Sequence, residues 1–129
     1  MPNQTDLTIK NGANVDVTFT KISPAAGDGG VASWFLKQGA ISSAFPELTA
    51  QALKKPQQRQ LKLKLKVPSS FVDSSTGRTN LGPYCEIGLT VNVPSEFPES
   101  GKDDMVAYTA NLINTGLIKS MIRDALSAT

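Results

Sequence analysis

The sequence predicts an α+β fold: an N-terminal β-hairpin, an antiparallel meander sheet of about five strands, and two C-terminal helices. Three observations carry this. Leu61–Val67 and Tyr84–Val93 alternate apolar and polar residues with a period of two, the pattern of strands with one apolar face. The last thirty residues change to a helical period. No helical segment separates the strands, so a parallel sheet with crossover helices is unlike this chain.

The elements follow in order. Asp6–Lys10 alternates, Asn11-Gly12 is a turn signal, and Val15–Thr20 alternates again with Val15, Val17 and Phe19 on one face, which together predict a hairpin. Pro24–Gly30 is a loop of small residues, Val31–Leu36 a short strand holding the lone Trp34, and Gly39–Ser43 a turn. Leu48, Ala50 and Ala52 alternate with Thr49 and Gln51, and Lys54–Gln58 turns at Pro56. In Leu61-Lys62-Leu63-Lys64-Leu65-Lys66-Val67 every odd position is aliphatic and every even one is lysine. A helix would scatter those lysines around its circumference, whereas a strand collects them on one face. Pro68 is read as its end, and Ser69–Pro83 as a long polar loop. In Tyr84–Val93, Ile87, Leu89, Val91 and Val93 share one face, and Tyr84, Glu86, Gly88, Thr90 and Asn92 the other. Ser100 is read as a helix N-cap, with Asp103 and Asp104 in the first turn and an apolar face of Met105, Val106, Leu112 and Ile113. Gly116 separates this from a second helix marked by Leu117, Ile118, Met121, Ile122 and Ala125.

The 129 residues, 40% of them hydrophobic, fit one domain spanning 1–129 with its own core. No apolar run approaches the ~20 residues of a membrane-spanning helix, and Met1–Lys10 lacks an apolar signal core, so neither a membrane nor export is expected. One cysteine excludes an internal disulfide framework. The absence of histidine removes Ser-His and Cys-His dyads and every zinc site that uses imidazole. Charge is unevenly placed. Lys54, Lys55, Arg59, Lys62, Lys64 and Lys66 put +6 on thirteen acid-free residues, while the rest holds seven basic against eleven acidic residues, −4. Such a stripe fits a polyanion-binding face, or equally a solvated strand face whose lysines oppose aggregation.

No catalytic constellation is present in the sequence, and no cofactor, metal or small-molecule substrate is expected. Asp103-Asp104 sit where a helix start favours acids. Gly27-Asp28-Gly29-Gly30 lacks the Lys-Ser/Thr of a phosphate loop and reads as a turn. Cys85 falls on the apolar side of its strand and reads as a buried, inert thiol. Tyr84 falls on the polar side, and a tyrosine beside a lysine stripe is an arrangement that stacks bases of single-stranded RNA. Two short helices are a thin cover for such a sheet, and sharing helices with a second copy would close the core.

Several stretches, in order, resemble the coat proteins of single-stranded RNA bacteriophages, the levivirus-like group. They are the hairpin around Asn11-Gly12; Gly29-Gly30-Val31-Ala32-Ser33-Trp34; Gln58-Arg59 through Lys64 to Val67-Pro68; the strand opening at Tyr84; and the acid-capped helix, glycine and second helix of Asp103–Leu126. The resemblance spans residues 7–127. It implies an interlocked homodimer, a T=3 icosahedral shell assembled in the bacterial cytoplasm, genomic RNA on the sheet face away from the helices, and translational repression through an RNA hairpin. The RNA-binding residues it implies, together with those of the lysine stripe, are Val31, Thr49, Gln51, Arg59, Lys62, Lys64, Lys66, Tyr84 and Glu86. Tyr84 would stack on a loop base, with Val31 and two lysines in adenine pockets. Departures are Glu86, where the family commonly has an amide, and Lys62, where it has a small polar residue. The strand before the basic turn aligns in two registers, which leaves Thr49 and Gln51 open. The alternative is a dimeric RNA-binding regulator that forms no shell.

Overall fold

The computed structural model describes residues 3–27, 29–39 and 41–129. Asp28, within the glycine-rich turn, and Ala40, within the Gly39–Ser43 turn, lie outside them. The strands are β1 (Leu7–Lys10), β2 (Asp16–Ser23), β3 (Val31–Phe35), β4 (Glu47–Lys55), β5 (Gln58–Val72) and β6 (Thr79–Pro94). The helices are α1 (Glu99–Ile113) and α2 (Gly116–Asp124). Two compact units result, 1–93 and 94–129.

In the first unit the strands pair in sequence order, β1 to β6, as one antiparallel sheet. There are thus six strands rather than about five. The Asn11 side chain builds the first turn, accepting the N–H groups of Ala13 and Val15 at 3.0 Å each. That turn sets the register Leu7↔Phe19. Residues 4–6 are strapped to the sheet: the Gln4 amide donates to Ser33 O, the Trp34 indole donates to Thr5 O, and Asp6 accepts the Lys21 N–H. A two-residue turn, Pro56-Gln57, joins β4 to β5 at Lys55↔Gln58. Among the described residues only Phe19, Ala32 and Pro46 are buried, Phe19 and Ala32 at 5% and 9% exposure.

Two expectations about β5 and β6 are corrected. Pro68 does not end β5, and Ser69–Pro83 is mostly strand, leaving only residues 73–78 as turn. The pairing Glu47↔Lys66 is the last between β4 and β5, so from Val67 onward β5 keeps one strand neighbour, β6. A strand edge tolerates the missing proline N–H. Ser69 Oγ donates to Pro83 O across this two-stranded arm. A Cβ at Gly82 would lie 2.6 Å from Ser69 Oγ, so a larger residue there would make the Ser69 hydroxyl rotate away from this bond. Cys85, expected to be buried, is exposed in the chain.

The turn of the arm is organised by Asp73, whose carboxylate accepts the Ser75 hydroxyl at 2.7 Å and its N–H at 2.9 Å. Those bonds favour the ionised form and hold the Asp73 carboxyl below its ordinary 3.8. A depressed pKa stabilises the turn above the unfolded value, and that contribution is lost as pH falls through the folded one. The Ser75 amide proton is therefore expected to shift on acidification below about pH 4. Ala13, held in the same way by the non-titrating Asn11, is the control. Equal NMR behaviour of the two amides would refute this.

In the second unit, α1 starts one residue before the expected cap. Pro98 is the N-cap and makes no side-chain bond, Glu99 is the acid of the first turn, and Ser100 lies inside the helix. Proline at this boundary fits because helix-start N–H groups lack intrahelical partners. The break falls at Asn114-Thr115, and Gly116 opens α2. Ala125 closes α2 in the left-handed conformation, at φ 55°. Neither helix contains a buried residue.

Candidate nucleic-acid interface

Strand pairing arranges one face of β3–β6 in rows, because paired residues project to the same side. Val31↔Gln51↔Lys62 form the first row. Ser33↔Thr49↔Lys64 form the second, and Phe35↔Glu47↔Lys66 the third. β6 extends the second and third rows. Lys64 Nζ lies 3.0 Å from Glu86 Oε1, and Lys66 Nζ lies 4.3 Å from the centre of the Tyr84 ring. The other face takes Ala32, Trp34, Leu48, Ala50, Leu61, Leu63 and Leu65.

Eight of the nine sequence-derived residues therefore gather on one face: Val31, Thr49, Gln51, Lys62, Lys64, Lys66, Tyr84 and Glu86. Arg59 does not join them. It pairs with Lys54 near the hairpin end, out of phase with the lysines. In β4, Thr49 stands opposite Lys64 and Gln51 opposite Lys62. Gln51 is fixed by a 2.9 Å bond from its amide to Gly29 O. Sequence reading missed Glu47, opposite Lys66; its place in the Thr49/Gln51 alternation was the available signal.

The electrostatics of this face are milder than the +6 stretch implies. Two carboxylates, Glu47 and Glu86, stand among the three lysines. The Glu86 hydrogen bond, then its charge, raise the Lys64 pKa, so Lys64 is protonated throughout the neutral range. The pair is solvent-exposed, and such pairs contribute modestly to stability. Tyr84 is 55% exposed and open to a planar ligand beside the lysine. The face offers ammonium donors, amides and a stacking ring, the groups that contact phosphates and unstacked bases. Among the described residues no cluster of three or more His, Cys, Asp or Glu is placed to hold a metal ion.

No protein-family model and no curated protein matches the chain. Solved structures do. The chain is similar to that of the virus-like particle of Beihai levi-like virus 21, at TM-score 0.85 and 19% identity over 99% of both chains. The fold is that of the levi-like phage coat proteins. The virus-like particle of bacteriophage NT-214 shares this coat-protein fold at TM-score 0.80 and 18% identity, over 97% of this chain and 96% of that one. The bacteriophage GA capsid protein shares it at 0.72 and 18%, over 95% of both chains. At these identities the likeness is one of architecture, sheet order and trailing helices included.

Proposed function

We propose that this chain is a structural coat protein that pairs with a second copy, builds an icosahedral virion shell and packages single-stranded RNA on the rows of Lys62, Lys64 and Tyr84. Non-enzymatic function and repression through a bound RNA hairpin belong to the same reading. Full-length likeness to a chain of a virus-like particle is the observation that carries it. Three features of the chain support self-association. β6 ends the sheet, and its sixteen residues hold one charge, Glu86, so a long edge with open backbone groups invites another strand. α1 has an open groove lined by Phe97, Met105, Tyr108 and Leu112, an apolar surface that water disfavours. The arm beyond Lys66 exposes Phe71, Val72 and Leu81, apolar contacts suited to a neighbouring capsomer.

Negative-stain imaging of the expressed full chain tests the reading. Closed shells holding nuclease-resistant RNA are expected. Shortening the arm within residues 69–82 is expected to leave soluble dimers without closed shells, because the removed pairs lie outside the β1–β5 register. Uniform dimers from the parent chain would favour the regulator instead. Shells of unchanged size from the shortened chain would remove the arm from assembly.

A further inference from the structure

This inference rests on the RNA-face reading. The three lysines of the face are chemically unequal. Lys66 lies over the Tyr84 ring and opposite Glu47, and Lys64 is ion-paired with Glu86. The row of Val31, Gln51 and Lys62 contains no acid. We propose that Glu86 is an intramolecular phosphate mimic that cancels Lys64, so that Glu86 sets how strongly and how selectively the face binds RNA.

The argument is one of competition. An RNA phosphate approaching Lys64 meets a carboxylate already 3.0 Å from the ammonium. It must displace that carboxylate or accept its repulsion, and neither gains the full effect of a free lysine. Glu86 is also held in place by the alternation of β6, two residues from Tyr84 and on the same face. The phosphate attraction of the face is thereby reduced, while the stacking surface is left intact. Phosphate contacts carry no sequence information, and base contacts do. Lowering the first relative to the second favours RNA whose bases are free to stack, such as loops, over any polyanion.

The test measures affinity for a labelled oligouridylate as a function of salt, for the full chain and three variants. Lys64 and Glu86 are both solvent-exposed, so the substitutions do not disturb packing. Glu86→Gln is expected to tighten binding and steepen the salt slope by about 0.7, so a fourfold change in salt alters its advantage about 2.6-fold. Adding Lys64→Ala to Glu86→Gln is expected to restore the parent's affinity and slope, because a neutral pair has then been removed. If Glu86→Gln matches the parent and the double variant falls about 0.7 below it in slope, Lys64 contacts phosphate unmasked and the proposal is overturned. Lys62→Ala separates this failure from that of the underlying reading. If Lys62→Ala matches the parent at every salt concentration and the parent shows no salt dependence, the face does not bind RNA and the proposal falls with it.

Discussion

Replacing Leu112 with alanine is expected to cost about 2–4 kcal/mol of stability, with a melting temperature that depends on protein concentration. In the isolated chain this residue is 55% exposed, and trimming such a side chain ordinarily changes stability by less than about 0.5 kcal/mol. The larger value follows from what the chain leaves uncovered. Its accessible surface is 9550 Å². A monomer of 13.7 kDa is expected to expose about 6,600 Å². The excess of about 3,000 Å² per chain, or about 6,000 Å² for a pair, is at the upper end of what obligate dimers bury between them. Val106, Tyr108, Leu112 and Leu117 on the helices contribute to it. A second copy covering them would place Leu112 in a core, where the cavity left by alanine has its usual cost. Denaturation at two protein concentrations, with light scattering, checks this. A folded monomer at micromolar concentration, with Leu112→Ala unchanged in stability, would refute it.

Tyr84→Ala is expected to weaken binding of single-stranded RNA by roughly 1–3 kcal/mol, about 5- to 150-fold, without altering the salt slope. The ring is exposed and carries no charge, so its loss removes stacking and leaves counterion release unchanged. Lys66 stands 4.3 Å from the ring centre, so an incoming base stacks on the free face or takes the lysine's place. Tyr84→Phe should retain most of the affinity, because the π-face survives. Lys62→Ala should do the converse of Tyr84→Ala, flattening the slope by about 0.7. Equal affinity of parent and Tyr84→Ala at all salt concentrations would exclude stacking at this site.

Much of the site was legible in the chain because strand alternation is local. The run from Leu61 to Val67 separates its lysines from its leucines whatever its neighbours do. Tyr84 and Glu86 were assignable to the polar side by the same rule, and the structure puts them beside Lys66 and Lys64. Arg59 was grouped with the lysines by charge, yet its odd position puts it out of phase with Lys62. Cys85 was assigned to the apolar side of β6, where Leu89, Val91 and Val93 are half-buried, but Cys85 itself is exposed in a single chain. Burial depends on what covers a face, and alternation carries no information about that.

Local residue patterns set the two-sided strands, the Asn11-Gly12 turn, the helical tail and an interruption near Gly116. Each depends on residues within a few positions of one another, through side-chain period, turn chemistry or backbone freedom. That Thr49 faces Lys64, that Glu47 stands opposite Lys66, and that Lys64 meets Glu86 follow from the assembled sheet. Pairing register joins segments far apart in the chain, and a shift by two residues would preserve every apolar face while changing every charged neighbour. The same holds for the arm. Pro68 stops a strand flanked on both sides but is tolerated where β5 has lost β4, and losing β4 is a property of the assembled sheet.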